Sequence, residues 1–222
     1  MRFLLNLLAP AAHIDMIKDQ DEVRSSYNHW RWRIFFGMYI GYAVFYLTRK
    51  SFTFVMPAMV ESLGFTKAQL GLLGSVLYIT YGASKFLSGI IADRSNSRYF
   101  MAIGLMLTGV LNIVFGYSSY LLLFAIIWGL NGFFQGWGWP PCARLLMHWY
   151  SQSERGRWWG VWSTSHNVGG AIIPVLATQV AFLYGWRTSM IIPGVIAIFA
   201  GLFLIYCLRD TPQSLGLPRI EA

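Results

Sequence analysis

Tyr42, Tyr46 and Arg49 follow one another at i, i+4 and i+7, and Tyr78, Tyr81 and Lys85 at i, i+3 and i+7. On helices, each set shares one face. A guanidinium can grip phosphate oxygens through two parallel hydrogen bonds, and an ammonium adds a point charge. Phenol hydroxyls add further hydrogen bonds while their rings line a sugar-sized cavity. His166 shares a helical face with Trp162 and Gly169; it could donate to a phosphate or take up a proton as a dianion arrives, with a purely structural histidine as the competing reading. Asn131 and Gln135, at i and i+4, could reach sugar hydroxyls or bond to a neighbouring helix. The sequence holds no P-loop, no serine–histidine–aspartate set in plausible loops and no metal-ligand cluster. The expectation is a binder of phosphate-bearing solutes with no catalytic residue, metal or cofactor, and not an enzyme.

The surroundings of these cations sharpen that reading. Arg49, Lys50, Lys85 and Arg144 lie inside long apolar stretches, whereas all nine acids fall in tails, loops or helix ends. An unpaired cation at bilayer depth costs several kcal/mol, so a chain that keeps one has a use for an outside anion. Snorkelling competes with this: Arg49 lies about 12 Å from the outer end of its expected span and Lys85 about 11 Å from the inner end of its own. For Arg144, in the last turns of its span, snorkelling or a gate contact is the expectation. Lys50 points about 100° away from Arg49 and is not expected to share its cavity.

The elements that carry these residues must cross a bilayer. The chain has 222 residues, 56% hydrophobic and only 12% charged, about half the charge of a soluble domain. No charged residue occurs in the 45 positions between Arg98 and Arg144, enough for two spans of about 20 residues. Six spans fit, at 33–57, 68–92, 99–117, 120–149, 158–184 and 187–208, giving an all-α membrane bundle between a leader at 1–32 and a tail at 209–222. With the leader inside, eleven Lys and Arg flank the spans on the cytoplasmic side and two, Lys67 and Arg187, on the outer side, which places both termini in the cytoplasm. The formal charge of +8 does not point to nucleic acid, because the basic residues are spread beside spans rather than clustered on a polar face. Cys142 and Cys207 lack any CxxC spacing and are not expected to pair. The mildly apolar Met1–Ala12 could lie along the membrane surface.

Glycine is dense in the fourth and fifth spans. Gly132 and Gly136 form a GxxxG spacing, read as close helix packing or as a place where the helix bends. On the inner side, the loop Gly89–Arg98 offers Asp93 to cap or pair near a helix end, with Arg94 and Arg98 to lock it as a gate.

Several blocks carry a family resemblance. GIIADRSNSR resembles the loop between the second and third helices of the major facilitator superfamily. GYAVFYLTRKSF, YGASKF, ADRSNSRYF, GWGWPPCARLLMHWYSQSERG, SHNVGG and RDTPQSLGLP are similar to the organophosphate:phosphate antiporters within it, over about residues 27–218. That group includes hexose-phosphate carriers, a related hexose-phosphate sensor and glycerol-3-phosphate carriers. The resemblance implies the N-terminal half of a facilitator fold and phosphate-linked antiport in a bacterial inner membrane. It implies that Arg49 binds substrate phosphate, with Lys85, Tyr81, Tyr42, Tyr46 and His166 at the family's other site positions. The expected partners are an organophosphate, inorganic phosphate, the lipid bilayer, and a C-terminal half or a second copy of the chain. The alternatives are a sensor acting with a partner kinase, and a nonfunctional truncated product.

Overall fold

A computed structural model of the protein describes residues 8–220, so the first seven positions of the apolar leader stretch lie outside the described residues. Among the described residues eight helices run from position 20 on: α1 Gln20–Leu63, α2 Lys67–Asp93, α3 Ser97–Tyr117, α4 Leu121–Gln135, α5 Trp139–Trp149, α6 Gln152–Ser163, α7 Ser165–Tyr184 and α8 Thr188–Cys207. A 3₁₀ turn, Pro212–Leu215, comes after them. Helices α4 and α5 form one rod interrupted at residues 136–138, and α6 and α7 another interrupted at Thr164, so eight helices make the six expected rods.

Local chemistry sets the ends. The Asp19 carboxylate accepts from the Asp21 N–H at 3.0 Å, starting α1 well before the expected boundary at 33. Gly64 closes it at φ +71°, a left-handed conformation that glycine adopts without a Cβ penalty. Thr66 and Gln69 form a capping box for α2, as Ser151 and Glu154 do for α6. Five of the six rods are long and apolar enough to cross a bilayer. The first, α1, falls outside that set, because its tyrosines and the Arg49–Lys50 pair dilute an otherwise apolar run.

Two apolar cores stack along the bundle. One, near the chain termini, holds Phe45, Met101, Leu145, Trp149 and Leu204; the other holds Phe52, Met59, Phe115, Phe124 and Trp128. Arg49 lies on α1 between Phe45 and Phe52, at the junction of the two. Helices α3 and α8 pack backbone to backbone: a Cβ on Gly109 would run into the Gly194 carbonyl, and one on Gly194 into the Gly109 carbonyl. The outer rods differ. Only 22% of the apolar window of α2 and 17% of that of the α6–α7 rod is buried, against 56% for α3, so α2 and the α6–α7 rod turn most of their surface away from this bundle.

The two ends of the chain are sewn together. The Ile14 N–H donates to the Gln213 carbonyl at 3.2 Å and the Ile17 N–H to that of Gly216 at 2.9 Å. The Asn96 N–H donates to the Leu8 carbonyl at 2.8 Å, and the Tyr27 hydroxyl to that of Pro218. At the centre lies a buried ion pair: the Arg144 guanidinium donates at 2.6 and 3.4 Å to the Asp210 carboxylate, with side chains 9% and 1% exposed. The Ser97 and Ala11 N–H groups also donate to Asp210, at 2.9 and 3.2 Å. Arg144 therefore does not snorkel; its counter-charge comes from the tail, beyond the spans.

Candidate functional site

Arg49 is 6% exposed, yet it belongs to neither of the two ion pairs among the described residues. Its Nε and one terminal nitrogen donate to Gln135 Oε1 at 3.2 and 3.1 Å. The Gln135 amide is held by its own donation to Thr48 Oγ1 at 2.9 Å, which turns the amide oxygen toward the guanidinium. A neutral amide aligns the cation without cancelling its charge, and guanidinium N–H groups beyond these two bonds keep their capacity to donate.

Aromatic faces complete the setting. The Arg49 guanidinium carbon lies 4.7 Å from the Tyr46 ring centroid and 4.2 Å from that of Tyr81. Lys85 Nζ lies 5.8 Å from the same Tyr81 ring and 5.0 Å from Trp139. Sharing one ring places the two cations within about 10 Å of each other. At an effective dielectric of about 20, two unit charges at that separation repel by roughly 1.7 kcal/mol. A dianion between them reverses that sign, while ring quadrupoles offset only part of it.

The wall continues through ring contacts. Tyr46 meets His166 at 5.4 Å and Tyr42 at 5.6 Å, and Tyr42 meets Trp162 at 4.7 Å. Trp162 meets Trp159 at 5.6 Å, and Trp159 meets Trp139 at 5.7 Å. Rings from α1, α5, α6 and α7 thus run as one chain from His166 round to the tryptophan beside Lys85. His166 and Lys85 remain partly or fully exposed, whereas Arg49 and Gln135 are buried.

Small residues set these distances. A Cβ on Gly169 would overlap the Ala43 carbonyl oxygen, so glycine there lets α7 lie against α1 and bring His166 to Tyr46. Gly132 and Gly136 do the same for α4 against α2, where a Cβ would strike Leu77, Thr80 or Ser84. Ser84 Oγ donates to the Phe133 carbonyl and Ser88 Oγ to that of Gly136 at 2.9 Å, fastening α2, and with it Tyr81 and Lys85, beside Gln135. The GxxxG pair packs the rod against α2, and the rod breaks at the second of the two glycines, over residues 136–138.

The structure thus brings Tyr42, Tyr46, Arg49, Tyr81, Lys85, Gln135 and His166 into one connected cluster. Tyr78, placed by spacing on the same face as Tyr81 and Lys85, is 53% exposed and outside these contacts. Asn131 donates to the Thr108 carbonyl at 3.4 Å, an interhelical tie rather than a cavity group. The residues expected to gate lie at the end of α2 and the start of α3. Asp93 and Arg94 are exposed at the end of α2, and neither belongs to an ion pair among the described residues. Arg98 instead donates through Nε to the Ile205 carbonyl at 2.5 Å. Two members of the cluster were missed by sequence reasoning. Thr48 stands beside Arg49 in the chain, and its hydroxyl was a readable signal. Trp139 is separated from the rest of its rod by the 136–138 break, so helical spacing does not place it.

Residues 38–222 match the Major Facilitator Superfamily. The chain is 63% identical, over all of its length and 48% of the relative's, to a probable hexose phosphate transport protein of Chlamydia trachomatis. It is 51% identical to the membrane sensor protein UhpC of Escherichia coli, over 98% of this chain and 49% of that one. It is 42% identical to the glycerol-3-phosphate transporter of Bacillus subtilis, over 98% of this chain and 50% of the other. The chain therefore spans about half the length of the curated relatives it matches. In fold it is similar to an inward-facing bacterial homologue of the human lysosomal transporter Spinster, with a TM-score of 0.75 at 18% identity, over 83% of this chain and 44% of that one.

Proposed function

The chain belongs to the Major Facilitator Superfamily, and on that premise we propose that it forms one wall of a transport pathway for a sugar phosphate or glycerol phosphate exchanged against inorganic phosphate. The observation that carries this reading is Arg49: a buried, aligned cation with no carboxylate partner among the described residues, within about 10 Å of a second cation. Arg49 grips phosphate oxygens, and Lys85 closes on the same group from α2. His166 donates from α7, and the rings of Tyr42, Tyr46, Tyr81 and Trp139 pack against the rest of the solute. Inorganic phosphate competes because the cations recognise only the group both anions share. The largely unburied faces of α2 and the α6–α7 rod flank the cluster. A second helical bundle, from a longer form of the protein or from a second copy, closes the pathway against them. Both termini lie on the cytoplasmic side of a bacterial inner membrane, as the distribution of Lys and Arg indicates.

The test is uptake of labelled sugar phosphate by proteoliposomes holding the complete transporter. Arg49→Ala is expected to abolish phosphate-inhibitable uptake, and Arg49→Lys to leave a small residue of it because one ammonium cannot replace the guanidinium fork. Normal uptake in Arg49→Ala removes the proposal. A second reading is favoured by the 51% identity to a protein named a membrane sensor: the site would bind external sugar phosphate and report it to a partner kinase without net transport. Saturable binding with no exchange of labelled phosphate would select that reading.

A further inference from the structure

At the end of the bundle where the termini meet, but on its outer surface, three arginines from three segments converge on the last turn of α8. Arg33 donates to the Tyr206 carbonyl at 2.9 Å, Arg98 to that of Ile205 at 2.5 Å, and Arg209 to those of Tyr206 and Leu208 at 3.2 and 2.7 Å. Their planes are fixed by stacking. Arg33 lies 4.0 Å from the Tyr206 ring centroid and 4.8 Å from that of Trp30. Arg209 lies 4.5 Å from the Trp30 centroid, and Arg98 5.0 Å from that of Tyr99. Neither ion pair among the described residues includes any of the three.

The helix end does not explain this much charge. A helix C-terminus carries roughly half a negative charge, so three guanidiniums leave a surplus of about two and a half. Each guanidinium has five donors, and the three together make only four hydrogen bonds to carbonyls. All three arginines remain partly exposed. Their mutual repulsion is felt: burial first, then Arg98 and Arg33, pull the Arg209 guanidinium below its ordinary value. Running from the cluster along α8, Tyr206, Phe203, Leu202 and Phe199 are 66%, 38%, 52% and 68% exposed, at helical spacing on one face. A strip of apolar surface leading away from a basic cluster at a span end suits acyl chains below a charged headgroup.

We propose that Arg33, Arg98 and Arg209 bind the phosphate diester headgroup of an anionic phospholipid, whose chains lie along the exposed face of α8. The site is separate from the Arg49 cluster and does not depend on the transport reading. Phosphate chemistry alone would also admit a soluble phosphate, but the adjoining apolar strip favours a lipid. Basic residues near a membrane surface contribute about 1 kcal/mol each toward anionic lipid, so three correspond to roughly a hundredfold preference at low salt. Carbonyl bonds already made reduce this, and tenfold is the threshold set for the test.

The test is native mass spectrometry of the full chain in detergent, titrated with dioleoylphosphatidylglycerol or with dioleoylphosphatidylcholine. The expected result is one phosphatidylglycerol retained at least about tenfold more tightly than phosphatidylcholine. Arg33→Gln, Arg98→Gln and Arg209→Gln combined should remove that preference, whereas Lys18→Gln, Arg24→Gln and Arg94→Gln combined, the same loss of charge elsewhere, should keep it. Equal retention of the two lipids by the unmodified protein overturns the proposal, and that comparison needs no variant to fold. Equal loss of preference in both triple variants also overturns it, because the effect would then be net charge. Displacement of phosphatidylglycerol by low millimolar inorganic phosphate would make this a soluble-phosphate site and refute the lipid assignment.

Discussion

Replacing Asp210 by Ala should be among the most destabilising single changes outside the apolar cores. The substitution strands the Arg144 guanidinium, whose side chain is 9% exposed, with only the Ser95 carbonyl and the Ser97 hydroxyl at 3.3 Å as acceptors. It also takes the acceptor from the Ser97 and Ala11 N–H groups. Breaking a buried pair by removing one partner costs about 3–5 kcal/mol, and each orphaned buried donor adds about 1–3 kcal/mol where water cannot reach it. Ala11 is only part-buried, so the expected loss is about 4–6 kcal/mol, dominated by the stranded charge. Asp210→Asn should lose less, because one amide oxygen still accepts. Combining it with Arg144→Met removes the stranded cation and should recover about 1–3 kcal/mol, the coupling expected of residues in contact. The assay is denaturant unfolding in detergent micelles followed by tryptophan fluorescence, run as a double-mutant cycle. A loss below about 1 kcal/mol in Asp210→Ala, or no coupling in the cycle, would refute the view that this pair is dry and holds the terminal clasp together.

Gly169→Ala should cut uptake and destabilise by about 1–3 kcal/mol, because its methyl group meets the Ala43 carbonyl. Gly170→Ala is the matched control: its Cβ would meet nothing within 4 Å, and it should behave as the unmodified protein in the same transport and unfolding assays. Gln135→Leu should weaken substrate binding while leaving the fold intact, since it releases Arg49 from its alignment without removing the cation; an unchanged apparent affinity for inorganic phosphate would contradict that role. Burial holds the Tyr27 phenol up at about 12, above its ordinary value of 10.0. The folded state therefore binds the proton more tightly than the unfolded chain, so this stabilisation is complete below pH 10 and is lost as pH rises toward 12. Tyr27→Phe should flatten the fall of unfolding stability across that window, and an unchanged slope would count against the buried phenol.

The helical faces bearing Tyr42, Tyr46 and Arg49, and Tyr81 with Lys85, were legible because a long membrane helix obeys its 3.6-residue period closely, so spacing alone decides which side chains share a face. The limits of the second, third and sixth rods were legible for a related reason, since apolar runs stop where charge begins. What escaped had no period to follow. Asp210 lies in an irregular tail and reaches Arg144 across 66 positions, so counting acids within spans could not find it. Trp139 stands after a kink, where the angular relation to Gln135 is lost. The start of α1 at Gln20 was hidden because polar residues form a helix that projects beyond the apolar run. Arg98 donates to the Ile205 carbonyl across 107 positions, a contact that adjacency in the chain does not reveal.

The seam between leader and tail also bears on how the protein is made. Ala11 and the carboxylate it donates to are 199 positions apart. At a synthesis rate of about 5–20 residues per second, the earliest part of the chain waits roughly 10–40 s for its counterpart to leave the ribosome. All six rods have by then been handed to the membrane, so this closure falls late and works as a latch thrown after assembly rather than as a nucleus that guides it.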